Sequence, residues 1–425
     1  MKRLLFIAHR VPYPPDKGER VRAFHEIRAL ADSFRITLAA LAHHAADLEA
    51  ARGLEPWCER ILVARAGGPL GLARGALALA AGGSVTEGYF RSRRLARRLR
   101  EAAGDEPFDV VVAYSSSTLP YALAVPARRR VADLVDVDSA KWSAYAREAR
   151  WPKSWLYRRE ARGVRRLEQR ALDACDAVVL VSRAEAEALG APGENVLPVA
   201  NGVDTAYFAP PEREPARPTS LVFTGTMDYR PNIDGVCWFV KEVWPGLKAA
   251  RPEVTLTIVG RDPAPAVVRL AETPGVTVTG SVPDVRPYLA EAAAVVVPLR
   301  LARGIQNKVL EAMAMGRAVV ASPAALEGLD VTVGTEALEA DRPEAWRDAI
   351  GRVLDDAPLR RRLGAAARAC TQERYNWDHR MADLVGLCRR LAEGGPMRSS
   401  GDEAGANAAS APAPAASAPT RTTAS

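Results

Sequence analysis

The run Asp136-Val137-Asp138 follows an apolar stretch and precedes Trp142 and Tyr145. Two carboxylates at the carboxyl end of a strand are groups that orient a hydroxyl or accept its proton. Capping of the following helix is the competing reading. A second candidate follows the first apolar run, Leu4–Ala8, in His9-Arg10-Val11-Pro12-Tyr13-Pro14-Pro15-Asp16-Lys17-Gly18, which leads into a helical pattern over Glu19–Asp32. In an open α/β sheet, ligands bind beyond the carboxyl ends of strands, and amides at a helix start favour oxyanions. Gly18 with Arg20 fits that use, although a plain turn explains Gly18 equally. His9 either reaches the same cleft or is structural. Ser115-Ser116-Ser117-Thr118 reads as a cap for a helix starting near Leu119, and Ser182 reads the same way. The five cysteines are odd in number and far apart, with no zinc-ligand spacing, which predicts reduced thiols and no metal site.

Other residues carry charge rather than chemistry. Residues 1–200 hold 32 Lys+Arg and 24 Asp+Glu, a net of +8, whereas residues 201–425 hold 26 and 27, a net of −1. The excess gathers around Arg94, Arg97 and Arg98, at Arg128-Arg129-Arg130, and along Arg147 to Arg170, where Trp151, Trp155, Leu156 and Tyr157 are interleaved. Arginine mixed with aromatic rings suits an anionic membrane surface. Nucleic acid competes as a partner, but no nucleic-acid motif accompanies the arginines. A merely solvated helix face is the plain alternative.

These residues are positioned by short apolar runs alternating with helical patterns. Strands are predicted at Leu4–Ala8, Ile36–Leu41, Arg60–Val63, Val110–Ala113, Arg130–Val135 and Ala177–Val181. A second series is predicted at Leu221–Thr224, Thr255–Val259, Val276–Thr279, Ala294–Val297, Ala318–Ala321 and Leu329–Val333. Their continuity, rather than strict alternation, predicts parallel strands covered on both faces. Helices are predicted at Asp234–Ala250 and Lys308–Met315, among others. Two βαβ series imply two doubly wound α/β domains facing a cleft: an N-terminal domain over 1–205, a C-terminal domain over 206–370, and a helix over 371–393. The connector near Pro210-Pro211-Glu212-Arg213-Glu214-Pro215 marks the break, and the Ala/Ser/Pro-rich segment 394–425 predicts disorder. No 18-residue apolar window occurs, since Leu70 to Val85 is broken by Arg74 and Gly82-Gly83. The basic start meets His9 after five apolar residues, too short for a signal-peptide core, so a cytoplasmic location is expected.

Two segments carry a resemblance. Cys175-Asp176-Ala177-Val178-Val179-Leu180-Val181-Ser182, followed by Val199-Ala200-Asn201-Gly202-Val203-Asp204-Thr205-Ala206-Tyr207-Phe208, resembles the interdomain crossing of family-4 glycosyltransferases of the GT-B fold. Leu310-Glu311-Ala312-Met313-Ala314-Met315-Gly316, followed by Ala318-Val319-Val320-Ala321-Ser322, is similar to that family's L-E-A-M-A-x-G signature. The opening His9–Gly18, Val135–Trp142 and Ala302–Lys308 further resemble the sugar transferases associated with exosortase (PEP-CTERM) exopolysaccharide systems.

The resemblance implies a nucleotide-diphosphate sugar as donor, with no tightly bound cofactor and no metal. Glu311 would accept the donor ribose hydroxyls, as an acceptor-only carboxylate does. Gly304 and Ile305 would meet the diphosphate with helix-start amides, with Asn307 beside them and Lys308 supplying charge. Two departures stand out. Arg303 occupies the position, eight before Glu311, where the family commonly has another Glu. The family's Arg…Lys phosphate pair is replaced by Phe223-Thr224-Gly225-Thr226-Met227-Asp228-Tyr229-Arg230-Pro231-Asn232. Arg303, Lys308 and Arg230, with Gly225 and Thr226, would then neutralise the leaving diphosphate. The resemblance places Asp138, and secondarily Asp136, near the reacting sugar. It implies retention of configuration and an anionic, polyprenyl-linked glycan acceptor at the inner face of the plasma membrane, in exopolysaccharide assembly. Two alternatives stay open: a non-catalytic partner of the same fold, motivated by Arg303, and a sugar-nucleotide epimerase, against which the basic surface argues.

Overall fold

The computed structural model describes residues 1–15, 18–190, 195–210, 219–302 and 304–395. Two parallel sheets form its frame. The first contains β1 (Lys2–Ala8), β2 (Phe34–Ala42), β3 (Arg60–Arg65), β4 (Phe108–Tyr114), β5 (Ala127–Val135), β6 (Ala177–Leu180) and β7 (Val196–Pro198), in the order β3-β2-β1-β4-β5-β6-β7. The second contains β8 (Ser220–Thr224), β9 (Thr255–Val259), β10 (Val276–Gly280), β11 (Ala294–Val297), β12 (Ala318–Ala321) and β13 (Leu338–Glu339), in the order β10-β9-β8-β11-β12-β13. Every residue of β4, β6, β8, β11 and β12 is buried, as strands with helices on both faces must be. In both sheets the order reverses beside the first strand, between β1 and β4 and between β8 and β11. The carboxyl ends at such switch points form the crevice in which α/β proteins bind ligands. These are the two doubly wound α/β units that the sequence predicts.

One expected strand is not formed. Leu329–Val333 lies at the surface as an irregular segment, and two of its backbone N–H groups bond to side chains. The Asp330 N–H donates to the Tyr375 hydroxyl at 2.5 Å and the Thr332 N–H to Glu336 Oε2 at 2.7 Å. The edge position beside β12 is taken instead by Leu338–Glu339. β7 is a strand that periodicity misses, because three residues ending in proline are too short to show a pattern.

The chain crosses between the sheets twice, and the crossings lie side by side. Val203 donates its N–H to Tyr375 O at 2.6 Å and pairs with Asn376. Beyond this point, helix Trp377–Ala392 packs into the core beneath the first sheet, with Trp377, Met381, Leu384 and Leu387 buried beside Ile27 and Leu30. The Trp377 ring stacks on His25 at 4.4 Å. Gly202 is required here, because a Cβ would lie 2.7 Å from the Trp377 ring. The connector residues 211–218 and the segment from 396 onward lie outside the described residues.

Candidate active site

One wall of the cleft is built from β8, β11 and the helices that follow them. β8 ends at Thr224 and leads into Gly225-Thr226, and helix Arg230–Trp238 brings back the buried Asn232. Asn232 Nδ2 donates to Thr226 O at 2.8 Å, and its Oδ1 accepts from Lys308 Nζ at 2.6 Å. Gly225 lies beneath this pair, and a Cβ there would sit 2.7 Å from Asn232 Nδ2 and 3.4 Å from Lys308 Cε. Lys308 and Glu311 are three residues apart on helix Asn307–Ala314 and therefore share a face. Lys308 also lies 5.1 Å from the Phe223 ring. Both groups are half-buried. Burial pushes Glu311 up to about 7 against the opposing pull of Lys308, and pushes Lys308 down to about 8 against the pull of Glu311. Lys308 takes Asn232 as its partner, while the Glu311 carboxylate receives no hydrogen bond from any described residue. A desolvated carboxylate without protein donors beside a desolvated ammonium suits a ligand that brings hydroxyl donors and negative charge.

The opposite wall is built from the ends of β4 and β5. Strain collects here: Ser115 (φ 77°) lies just beyond β4 and Val135 (φ 68°) at the carboxyl end of β5, both non-glycine residues with positive φ. A β-branched residue in the left-handed region is unusual and needs support from its surroundings. Asp133 Oδ1 supplies it by accepting the Val135 N–H at 2.8 Å, where the pairing of β5 with β6 slips register. The chain then turns out to Asp136. Burial, then the Glu185 and Asp138 carboxylates, push Asp136 up to about 7, and its buried Oδ1 has no hydrogen-bond partner. Asp138 opens helix Asp138–Glu148 and lies 3.8 Å from Lys141. Capping falls to other groups: Glu185 accepts from the Val137 N–H at 2.6 Å and Glu168 from the Ser139 N–H at 2.9 Å. Asp138 therefore does not cap its helix, and its charged neighbour there is Lys141.

Three contacts join the walls. Gly304 (φ 64°) lies so close to Asp136 that a Cβ would collide with Oδ1. Asn201 Nδ2 donates to Asn307 Oδ1 at 3.2 Å. Arg230 pairs with Glu148 and lies 5.6 Å from the Tyr145 ring. Arg230 is thus held by a carboxylate of the first domain. Tyr229, beside it, is pushed up to about 12 by burial. Ile305, next to Gly304, is buried. Arg303 lies outside the described residues.

The expected residues near β1 lie together on the first domain's side. Gly18 begins helix Gly18–Ala31, and Arg20 on that helix donates to the buried Asp47 at 3.3 Å. His9 stacks on Tyr114 at 5.8 Å, and its carbonyl accepts from His43 Nε2 at 3.1 Å. Arg94 and Arg98 line a groove of about 360 Å³ at the β3 edge of the sheet, while Arg97 pairs with Glu101 at 3.6 Å. Among the described residues, no group of three or more His, Cys, Asp or Glu is arranged to hold a metal ion.

Sequence reading missed the support for this site. Arg22 is fully buried: it donates to Asp133 at 2.7 and 3.0 Å, to Asn201 Oδ1 at 3.1 Å and to Val199 O at 2.8 Å, and pairs with Glu26 at 2.8 Å. The cluster links helix Gly18–Ala31, β5 and the crossover, and through Asn201 it reaches Asn307. Asn232 and His43 were missed as well. The available signal was a charged pair, Arg22 and Glu26, one turn apart on the face that Phe24, Ile27 and Leu30 mark as buried.

Two family models match the chain: one described as Glycosyltransferase Family 4 over residues 49–207, and one described as Glycosyl transferases group 1 over residues 218–356. No curated protein matches. Among solved structures, sucrose-phosphate synthase from Thermosynechococcus elongatus is similar at 18% identity and a TM-score of 0.67, over 93% of this chain and 100% of that one. TarM of S. aureus is similar at 11% identity and a TM-score of 0.67, over 91% and 99%. Anabaena HepE, solved with UDP and glucose, is similar at 15% identity and a TM-score of 0.63, over 91% and 99%. The likeness to these structures is one of fold, and the family models carry the activity: the chain is a glycosyltransferase of the GT-B fold, with a family-4 N-terminal half and a group-1 C-terminal half.

Proposed function

We propose that this glycosyltransferase moves a sugar, with retention, from a nucleotide-diphosphate sugar to a lipid-linked glycan in exopolysaccharide assembly. The observation that carries the donor assignment is the desolvated Lys308–Glu311 pair, with Glu311 lacking any donor. Two ribose hydroxyls would satisfy that carboxylate, and the diphosphate would take Lys308 and the amides of Gly304 and Ile305. HepE, solved with UDP and with UDP-glucose, supports a nucleotide-sugar donor.

The leaving group departs as a nucleoside diphosphate. Its developing charge is stabilised by Lys308, by the helix-start amides and by Arg303, with Gly225 keeping the strand end open for close approach. Arg230 joins them if it releases Glu148. The acceptor hydroxyl attacks from the same face that the leaving phosphate vacates, and that phosphate takes the proton. Asp136 and Asp138 orient the hydroxyl from the opposite wall. Gly18, Arg20 and His9 border the acceptor side, which suits a glycan carrying an anionic lipid diphosphate. The PEP-CTERM assignment rests on the motif resemblance in residues 9–18, 135–142 and 302–308.

Calorimetric titration with UDP, GDP, dTDP and ADP tests the donor site. One nucleotide should bind clearly, and Glu311→Ala should weaken it roughly tenfold to a hundredfold, the loss of two charge-assisted hydrogen bonds. Unaltered binding in the variant would refute the assignment.

A further inference from the structure

A helix in a water-soluble protein buries its large apolar side chains and shows polar ones to solvent. Helix Gly68–Ala80 does the reverse. Its buried positions are Gly71, Gly75 and Leu79, and a Cβ on Gly75 would lie 2.9 Å from Val85 of the adjoining helix Val85–Tyr89. Leu70, Leu72 and Leu77 are 68%, 61% and 71% exposed. Helix Lys153–Ala174 is fixed to the same body. Its Glu160 accepts the Val85 and Thr86 N–H groups at 2.5 and 2.9 Å, and Arg159 donates to Leu79 O at 2.9 Å. At the start of that helix Trp151 is 81% exposed and Trp155 49%, with Leu156 also exposed. Six of the twelve exposed large apolar side chains among the described residues therefore sit on two adjoining elements, a clustering that calls for a partner.

Charge identifies that partner. A groove of about 750 Å³ runs between helices Asp138–Glu148 and Lys153–Ala174, with Ala140, Ala146 and Ala161 among its apolar residues and Trp155, Arg158 and Arg162 along its side. Arg147, at its end, and Arg162 have no hydrogen-bond or ion-pair partner among the described residues. Free guanidinium groups beside protruding leucine and tryptophan match a bilayer interface, with phosphates for the forks and acyl boundary for the rings. No described helix is long and apolar enough to cross a membrane.

We infer that the face formed by Gly68–Ala80 and Trp151–Arg162 docks on an anionic lipid bilayer. Leu70 and Leu77, seven residues apart on one side of their helix, enter the interfacial layer with the tryptophans, and the arginine groove takes lipid phosphate. The inference deepens the lipid-linked acceptor reading and rests on it for its purpose. One wall of the groove is the 11-residue helix that opens with Asp138, so a bound headgroup lies within about 16 Å of the cleft. This face is separate from the groove of Arg94 and Arg98, where Leu48 is an exposed large apolar side chain.

Sedimentation with phosphatidylcholine vesicles, with and without phosphatidylglycerol, tests this. The protein should bind the phosphatidylglycerol vesicles. Leu70→Ser with Leu77→Ser, Trp151→Ser with Trp155→Ser, and Arg158→Glu with Arg162→Glu should each weaken binding roughly tenfold or more. Arg94→Glu with Arg97→Glu and Arg98→Glu should change it less than about threefold. Nucleotide titration of the same variants should be unchanged, which certifies their folding. Vesicle binding without nucleotide binding would sink the donor-site reading and leave this inference standing. A wild-type protein indifferent to phosphatidylglycerol, or leucine and tryptophan variants that sediment like wild type, would overturn it. So would a dimer that dissociates in those variants without vesicle binding, because the face would then belong to a second copy.

Discussion

Glu311 and Lys308 hold opposite ends of a narrow pH window. Burial sets Glu311 at about 7 and Lys308 at about 8, so the fraction of molecules with both groups charged is greatest between those values. Below the window the carboxyl protonates and loses its capacity to accept two hydroxyls. Above it the ammonium loses the charge that, in the proposed donor site, meets the diphosphate. Affinity for the nucleoside diphosphate should therefore peak between pH 7 and 8 and fall roughly tenfold about one unit outside either edge, measured by titration at a series of pH values. A flat profile would contradict the pairing. Both residues were legible in the sequence because they share one helix with its signature. Asn232, which holds Lys308 from 76 positions away, was not, since its role exists only once β8 and β11 lie side by side.

The element that matters most for holding the site is helix Gly18–Ala31. Its buried Arg22 faces two carboxylates. Burial opposes the charge of Arg22, but Asp133 and then Glu26 hold the guanidinium above its ordinary value. Burial and the neighbouring Asp133 push Glu26 well above the carboxylate range. Asp133 is the carboxylate that takes the Arg22 hydrogen bonds, at 2.7 and 3.0 Å. Arg22→Leu leaves Asp133 buried without its cation and should cost about 3–5 kcal/mol in urea denaturation; a cost below about 1 kcal/mol would contradict the network. The strands were legible for a simple reason, since runs such as Val110–Ala113 and Ala294–Val297 are apolar on both faces. Leu329–Val333 looked alike but lies where Tyr375 and Glu336 take two of its backbone N–H groups. In Gly68–Ala80 the apolar content was visible, but which face the chain would bury was not, because the neighbour that needs glycine contacts comes from Val85–Tyr89.

At the scale of the whole molecule, two sheets are tied by adjacent crossings at Val203 and Asn376, and their facing ends meet through Asp136 and Gly304, Asn201 and Asn307, and Glu148 and Arg230. A hinge at one side and separable polar contacts at the other suit a cleft that opens for the donor and closes over it, excluding water from the diphosphate. We place the acceptor-side body at residues 1–205 with helix 371–393, and the donor-side body at 206–370. The most direct test is transfer itself: a nucleotide sugar labelled in the sugar, vesicles bearing a lipid-linked glycan, and wild type beside Glu311→Ala. The account predicts label entering the lipid fraction with one nucleoside diphosphate released per sugar moved, and a fall in kcat/KM of roughly a hundredfold or more in the variant. Full-rate transfer by Glu311→Ala, or nucleotide release with no labelled lipid, would contradict it.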